Sequence, residues 1–552
     1  MMRLLLRIAF FTFSFLYLLL WCEPVLTFNE GLRIFTYDTQ SLSNAFGKAG
    51  GVLVYGGDFI SQFFYYPWVG VAIVSCLLSA IAFITGRLYA GKSSLQYLPS
   101  LLLLLVITRI YAPVELLLGV AITLGALLVV ERVKHKQVAG AILVVIISFI
   151  SSGFALIFIA VLLVSNVRNF IPAVAYLLTM VVAYTVLYPN QSLWQILFAN
   201  TDYAKVNYFF AALPATIVLL PLTRKYFVGS VNLLVDSSLL VAAMASVVIF
   251  TPLDSPSRAL LRMDFYAQTF RWQKIIETAH KQQQLSRQHT FYLMLALNQT
   301  RQIGDKLFHY KQLWDSGSLY EGFNDNVQSL LAAGEMYYAI GCDNYAYRMS
   351  MEASVINNRA MVARTAKRMA YCALEGGDMP LYEKHRKLLS KTLYYDKEIN
   401  KESFIGYRRK LLPGSDNLLG DSHNSFLFFK GLAQANPDNC FVVDYLLCDA
   451  LLKGRVDLFM ENLPLAEKFY PEHLPVHYQE AAVAYALEVD DDELLNRYGT
   501  QKVADRYVAY IEALSKNISA AMVEKEFADT FWYYMYKRAS KTNVQFSVAP
   551  LS

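Results

Sequence analysis

An apolar stretch of 21 residues, 231–251, divides this sequence into two dissimilar halves. It reads VNLLVDSSLLVAAMASVVIFT, and Asp236 is its only charged residue. A helix needs about 20 mostly apolar residues to cross a bilayer core of roughly 30 Å, and this stretch supplies them. Other long apolar runs precede it, whereas none of that length follows it. The pattern predicts an all-α chain with a multi-pass transmembrane domain in residues 1–251 and a soluble domain in residues 252–552.

The charges are distributed unevenly between the two predicted domains. Residues 1–251 contain 14 Lys/Arg and 8 Asp/Glu, and subtracting these from totals of 49 and 44 leaves 35 and 36 for residues 252–552. The net charge of +5 therefore combines +6 in the membrane domain with −1 in the soluble domain. A nearly neutral domain lacks the basic surface that attracts a phosphate backbone. We therefore expect no nucleic-acid partner.

The membrane domain is predicted to contain about eight or nine membrane segments. Two arginines precede the first apolar run, which we interpret as an uncleaved span that begins inside the cell. Residues 23–66 form a long first outer loop. Within it, the aromatic segment 55–70 (YGGDFISQFFYYPWVG) predicts a helix in the membrane interface, where Phe and Tyr rings lie at headgroup depth. The further predicted spans are 67–85, 96–112, 113–130, 170–188, 207–222 and 231–251.

Residues 138–164 decide the predicted topology. This apolar stretch of 27 residues has the sequence SSG at 151–153, so it can form one tilted span or a hairpin of two short helices. A single span places Arg224 and Lys225 outside and the soluble domain in the cytoplasm. A hairpin keeps the basic connections inside, as the positive-inside rule requires, and places the soluble domain in the periplasm. We favour the hairpin, because the charge pattern then holds throughout.

Helical repetition is the main feature of the soluble domain. Gly304, Gly341 and Gly376 are predicted to end helices, at spacings of 37 and 35 residues. A tetratricopeptide unit of two antiparallel helices has about 34 residues. Ala346 follows Gly341 at the position where the second helix of such a pair crosses closely. The pattern predicts a tetratricopeptide-like α-solenoid, with an irregular helical bundle as the alternative.

No motif in the sequence indicates a cofactor or a metal. It contains no HExxH, GxSxG or Gly-rich phosphate loop, so we expect neither group. His473 and His477 have the spacing of two ligands on a helix, but Pro475 lies between them. We therefore expect a helix start with solvated histidines.

Charged residues at membrane depth are functional candidates by default. Arg109 and Glu115 flank the turn IYAPV, where they could pair with each other or with the first outer loop. Asp236 is expected to face Arg224 or Lys225 across the inner membrane surface.

Four segments carry a resemblance to a known group of proteins. They are FISQFFYYPWVG (59–70), LALNQTRQIGDKLFHY (295–310), YYAIGCDNYAYR (337–348) and HYQEA (477–481). Together they resemble an uncharacterised Bacteroidetes family of multi-pass membrane proteins with a domain of unknown function and a tetratricopeptide-like C-terminal part. The resemblance implies a Gram-negative inner membrane. The first loop of that family usually carries a Pro-Gly-Gly…Glu-Tyr run. Here residues 49–55 read AGGVLVY, without the proline and the acid, which weakens the case for catalysis at this position.

Two functions follow from these observations. In the first, the chain is a membrane-anchored protein without enzymatic activity, whose helical repeats bind a protein partner in the periplasm. In the second, it resembles the polytopic lipid-linked sugar transferases, which also combine a long acidic first outer loop with an outer C-terminal domain. Asp38 and Asp58 are then candidate bases or metal-binding acids, and Arg109 is a candidate for binding a substrate phosphate. We favour the first function and keep the second as the alternative.

Overall fold

The computed structural model describes residues 2–90, 93–151, 153–166, 170–198, 208–226, 233–251, 255–322, 326–357, 361–399, 424–516 and 518–542. Within these ranges the chain is helical and contains no strand, which confirms the all-α prediction. The chain forms two compact units. The first comprises Met1–Arg258, Met361–Lys367 and Arg386–Asn400, and the second comprises Ala259–Ala360, Arg368–His385 and Lys401–Ser552. Two segments from the second half of the sequence thus pack within the first unit.

The α-helices up to residue 251 are Met2–Trp21, Glu23–Gly31, Thr39–Phe46, Gly51–Ser61, Pro67–Thr85, Leu98–Ile107, Glu115–Arg132, Lys136–Ser151, Phe154–Ser165, Phe170–Val182, Leu193–Phe198, Tyr208–Tyr226 and Leu233–Ile249. Those that follow are Ser255–Gln268, Trp272–His280, Arg287–Gln299, Ile303–Lys306, Val327–Ala339, Asp343–Ile356, Ala363–Glu375, Met379–Leu389, Tyr395–Ile399, Ser425–Ala435, Cys440–Lys453, Val456–Asn462, Pro464–Glu467, Val476–Glu488, Asp492–Tyr498, Gln501–Ser515, Ala520–Phe527 and Phe531–Thr542.

Three of the described helices have the length and composition to cross a membrane. They are Leu4–Trp21, Pro67–Leu88 and Phe170–Leu187. Five further apolar helices have 10–17 residues, and one of them is Leu234–Ile249, within the stretch that divides the sequence. At about 1.5 Å per residue, these five are shorter than the roughly 30 Å of a bilayer core.

Residues 138–164 form the expected hairpin. The helices Lys136–Ser151 and Phe154–Ser165 are separated at Gly153. A methyl group placed on Gly140 would lie 3.4 Å from Leu162 Cδ1, so residues far from the break on either side meet. A single straight helix would hold these two residues about 33 Å apart. The tight contact at Gly140 is with Pro172, whose Cγ would lie 2.9 Å from a Cβ atom there.

The expected helix ends differ in their local geometry. Gly341 has φ +90° between the helices Val327–Ala339 and Asp343–Ile356. Near Gly376, the left-handed residue is its neighbour Gly377, with φ +78°. The expectation for Gly304 is wrong, because the preceding helix already ends at Gln299.

A different constraint explains the glycine at position 304. A Cβ atom there would lie 2.6 Å from Pro475 Cβ, so only glycine allows this approach. Ala346 is fully buried, and a Cβ atom on Gly334 would lie 3.7 Å from its carbonyl oxygen. These two helices therefore pack in ordinary van der Waals contact at this crossing, with Ala346 buried between them.

One expectation for a polar side chain is wrong, and another falls on side chains outside the described residues. His477 is buried rather than solvated: its Nδ1 lies 2.8 Å from Glu480 Oε2, and its Nε2 accepts a hydrogen bond from Phe308 N at 3.4 Å. Asp236 accepts a hydrogen bond from the Ser94 backbone N–H at 2.6 Å. The side chains of Arg224 and Lys225, its expected neighbours, lie outside the described part of the chain.

Candidate functional site

A cleft in the first unit brings the first outer loop together with a segment nearly 360 residues away in sequence. Its enclosed volume is about 10 Å³, which is room for about one water molecule. Its lining residues are Glu30, Arg33, Ile34, Phe35, Asp58, Gln62, Ala363, Thr392, Leu393, Tyr394 and Tyr395.

A buried arginine organises the carboxylates on one side of the cleft. Arg33 Nη1 donates hydrogen bonds to Asp58 Oδ1 at 3.1 Å and to Glu115 Oε2 at 2.8 Å, and Nη2 donates to the Ala112 carbonyl oxygen at 3.2 Å. Burial alone would lower the Arg33 pKa, but the carboxylates of Glu115 and Asp58 outweigh it and raise that pKa. The guanidinium therefore stays charged and is ion-paired with Asp58. Glu115 thus pairs with Arg33 of the first outer loop, which is one of the two pairings expected from the sequence.

A second carboxyl group in the cleft has a different environment. The Tyr395 hydroxyl lies 2.8 and 2.7 Å from the two carboxyl oxygens of Glu30. Burial raises the pKa of Glu30 to about 8, although the Tyr395 hydrogen bond and the charge of Lys367 act in the opposite direction. Glu30 therefore carries a proton at neutral pH. The cleft thus combines Glu30, whose pKa is raised, with Asp58, which is ion-paired with Arg33.

Gln62 is a polar residue without a protein partner in this cleft. Its side chain is 7% exposed, and neither amide atom has a hydrogen-bond partner among the described residues. Buried polar atoms in native proteins are nearly always hydrogen-bonded. A buried amide of this kind is typically hydrogen-bonded to a buried water.

Local sequence places Asp58 and Gln62 on one face of the chain. They are four residues apart, at the end of the helix Gly51–Ser61 and the start of the 3₁₀ turn Gln62–Tyr65, so their side chains project in similar directions. A Cβ atom on Gly57 would lie 2.8 Å from Glu115 Cβ. The glycine thus allows the backbone of this helix to approach the carboxylate that binds Arg33. The helix continues through both Gly56 and Gly57.

Aromatic rings form the other wall. The Tyr394 ring stacks on Tyr65 with centroids 5.2 Å apart and meets Tyr66 edge-on at 5.3 Å. The Tyr37 backbone N–H donates to the Lys391 carbonyl oxygen at 3.1 Å. These contacts hold residues 391–395 against the first outer loop.

The three candidate catalytic residues proposed from the sequence differ in their position relative to the cleft. Asp58 lines the cleft, whereas Asp38 and Arg109 are not among its lining residues. Asp38 caps the helix Thr39–Phe46, accepting from Ser41 N–H at 2.7 Å, and lies 3.1 Å from Lys391 Nζ. The backbone hydrogen bond from Ser41, together with Lys391, lowers the Asp38 pKa. These contacts give Asp38 a structural role.

Arg109 lies in the turn before Glu115, and its carbonyl oxygen accepts a hydrogen bond from Asn29 Nδ2 at 2.9 Å. Asn29 Oδ1 in turn accepts from the Tyr111 backbone N–H at 2.8 Å, where Tyr111 has φ +64°. Asn29 thus fixes this turn, and with it the start of the helix that carries Glu115.

Sequence reasoning missed Glu30, Arg33 and Gln62. Arg33 had an available signal, because it is an isolated cation within an acidic loop. Gln62 lies within the aromatic segment that we interpreted as an interfacial helix. No motif around it in the sequence marks it as a functional residue.

The chain is thus an all-helical protein in which a single unit contains both apolar helices of membrane-spanning length and a cleft with acid–base side chains. It belongs to DUF6057, a family of unknown function whose family model matches residues 1–538. Membership of an uncharacterised family that covers most of the chain was expected from its motifs and is confirmed. No curated protein and no solved structure matches the chain.

Proposed function

We propose that this protein is a multi-pass membrane enzyme that catalyses group transfer in the cleft of its first unit. The observation that carries the proposal is the presence in one cleft of Glu30, whose pKa is raised by burial, and of Asp58, which is ion-paired with Arg33. Two titratable groups whose environments favour opposite protonation states can act as acid and base in the same reaction. This site favours the enzyme that sequence analysis kept as the alternative, with Glu30 replacing Asp38 and Arg109 as the partner of Asp58.

Each side chain then has a defined task. Glu30 donates its proton to the leaving group, and Tyr395 stabilises the carboxylate that results, since its hydroxyl already faces both oxygens. Asp58 accepts a proton from the attacking group. Arg33 positions Asp58 and Glu115 and does not itself need to contact the substrate. This division resembles the acid–base pairs of enzymes that transfer sugars.

The surface of the apolar helices supports a location in a bilayer. On Phe170–Val182, the side chains of Val174, Leu177, Leu178 and Val181 are 50–64% exposed. Contiguous exposed apolar surface of this kind is unfavourable in water and normally contacts lipid or protein. The lipid bilayer is therefore a proposed partner, in the inner membrane of a Gram-negative cell. The hairpin at residues 138–164 supports a periplasmic soluble domain through the positive-inside rule.

The proposal is tested by replacing the two carboxyl groups separately in the full-length chain. A strain lacking the gene is complemented with the wild type, Glu30→Gln or Asp58→Asn, and lipids and glycans are compared by mass spectrometry. The wild type should restore the species that the deletion alters, and each variant should lower that restoration by at least 100-fold, since a positioned acid or base contributes about 10²–10⁴-fold to a rate.

Asp38→Asn is the matched control, because asparagine also caps helices well and Asp38 does not line the cleft. It should restore the wild-type pattern. Full activity of both Glu30→Gln and Asp58→Asn, at wild-type protein level in the membrane, would refute an acid–base site in this cleft.

A second function is supported by the helix pairs of the second unit. The burial of Ala346 between the helices Val327–Ala339 and Asp343–Ile356, and the left-handed Gly341 and Gly454 at helix ends, are features of stacked tetratricopeptide-like pairs. We propose that this unit binds a protein partner. In-cell cross-linking of the full-length chain should recover one specific partner, which Ala346→Glu should release. Equal recovery by both forms would contradict the proposal.

A further inference from the structure

Two arginines of the first unit converge on one aromatic ring. The guanidinium carbon of Arg7 lies 5.0 Å from the centroid of the Phe83 ring, and that of Arg87 lies 5.2 Å from the same centroid. The two guanidinium carbons are therefore at most about 10 Å apart. Because like charges at this separation repel each other, an anion that contacts both cations stabilises the arrangement.

Neither arginine is ion-paired with a carboxylate among the described residues. Asp236, a buried acid of the same unit, instead accepts hydrogen bonds from the Ser93 hydroxyl at 3.4 Å and from the Ser94 backbone N–H at 2.6 Å. The charges of Arg7 and Arg87 thus face an aromatic ring and no acid in the part of the chain that the structure describes.

Both arginines lie at the ends of helices that have the length and composition to cross a membrane. Arg7 is near the start of Leu4–Trp21, and Arg87 is near the end of Pro67–Leu88. Their shared contact with Phe83 places these two ends side by side. Both arginine side chains are exposed. In the bilayer location proposed above, such positions are at the level of the lipid headgroups, which a long arginine side chain can reach.

Apolar surface adjoins the two cations. Ile8 is exposed next to Arg7, and the Phe83 ring is itself partly exposed between the arginines. Further along the first helix, Leu16 and Leu20 are exposed as well. A phospholipid has the matching arrangement, because its charged headgroup is joined directly to apolar chains.

We propose that Arg7 and Arg87 bind the phosphate of one anionic phospholipid, whose acyl chains lie along the exposed face of the helix Met2–Trp21. Guanidinium groups bind phosphate oxygens through paired N–H donors, and basic pockets between transmembrane helices bind anionic headgroups. Phe83 holds the two guanidinium groups in position through cation–π contacts. The inference rests on the bilayer location proposed above and does not use the acid–base site.

The test is native mass spectrometry of the purified full-length protein in detergent micelles. The probes are dioleoylphosphatidylglycerol, which is anionic, and dioleoylphosphatidylcholine, which has no net charge. The wild type should bind the anionic lipid more tightly. Arg87→Gln removes one charge at an exposed position, so it should weaken binding of the anionic lipid about 5-fold and leave binding of the neutral lipid unchanged. Arg7→Lys keeps the charge but loses the paired donors, so it should weaken binding by a smaller factor.

Arg132→Gln is the matched control, because Arg132 is an exposed arginine at the end of another helix of the same unit. It removes the same charge and should bind both lipids as the wild type does. Thermal unfolding checks that each variant keeps its fold, and Arg7→Gln replaces Arg87→Gln in the comparison if the latter unfolds.

Three outcomes would overturn the inference. Equal weakening by Arg132→Gln and Arg87→Gln would mean that the lipid responds only to the total positive charge. Equal binding of the two lipids by the wild type would exclude recognition of the anionic headgroup. Displacement of the anionic lipid by excess inorganic phosphate would identify a site for free phosphate. Glu30→Gln and Asp58→Asn should bind the lipid as the wild type does, so failure of this inference leaves the enzymatic function untouched.

Discussion

The protonated state of Glu30 can be tested directly with the variant Glu30→Gln. Glutamine has nearly the same shape and can still accept the Tyr395 hydrogen bond, so the variant removes only the ionisable proton. Between pH 4.5 and about 8, the folded protein retains a proton that an unfolded chain releases. The free energy of unfolding therefore falls as pH rises through this window and becomes level above it.

The size of the effect follows from the two pKa values. The ordinary value is 4.5 and the folded value is about 8, and each pKa unit corresponds to about 1.4 kcal/mol. From pH 5 to pH 7, the free energy of unfolding of the wild type should therefore fall by about 3 kcal/mol, whereas that of Glu30→Gln should not show this fall. At roughly 2 °C per kcal/mol for a large domain, the Tm difference between the two proteins should grow by about 6 °C.

Two measurements check this expectation on the purified full-length protein. Thermal unfolding from pH 5 to pH 8 gives the Tm difference. Infrared spectroscopy at pH 7 detects the carbonyl stretch of a protonated carboxyl, and Glu30→Gln should remove intensity from that band. Glu131→Gln is the control, because this carboxylate is exposed and lies in the same unit. An unchanged infrared band in Glu30→Gln, together with parallel Tm curves, would refute the reasoning.

Three further predictions concern other parts of the molecule. Ala346→Glu places a charge at a fully buried position and should cost about 3 kcal/mol or more, whereas Met351→Glu, at 53% exposure on the same helix, should change Tm little. Gly454→Ala should cost about 1–2 kcal/mol in thermal unfolding, because its φ of +69° strains any residue with a Cβ atom; an unchanged Tm would contradict this. A reporter that works only outside the cytoplasm, fused after Ser552, should be active if the soluble domain is periplasmic, and silence would reverse the topology.

Local patterns in the sequence determine much of the fold. The apolar runs with helical periodicity predict an all-α chain, because backbone groups in apolar surroundings must be paired within the helix. The SSG sequence at 151–153 allows a hairpin, and Gly341 indicates a bend between two helices. In both places the chain can change direction because the side chains are short or absent. In contrast, the local pattern wrongly predicts a helix end at Gly304. The glycine is needed there because of a close contact with Pro475, which lies 171 positions away in the sequence.

The candidate site is a product of tertiary structure. Asp58 could be proposed from its place in an acidic loop, but the same argument selected Asp38, which caps a helix. Glu30 acquires its proton only because folding buries it beside Tyr395, a residue 365 positions away. Desolvation depends on every group packed around a carboxyl, and no spacing within the first outer loop encodes it. The sequence by itself thus determined which segments are apolar and helical, whereas tertiary packing decided which acids share a cleft and which of them carries a proton.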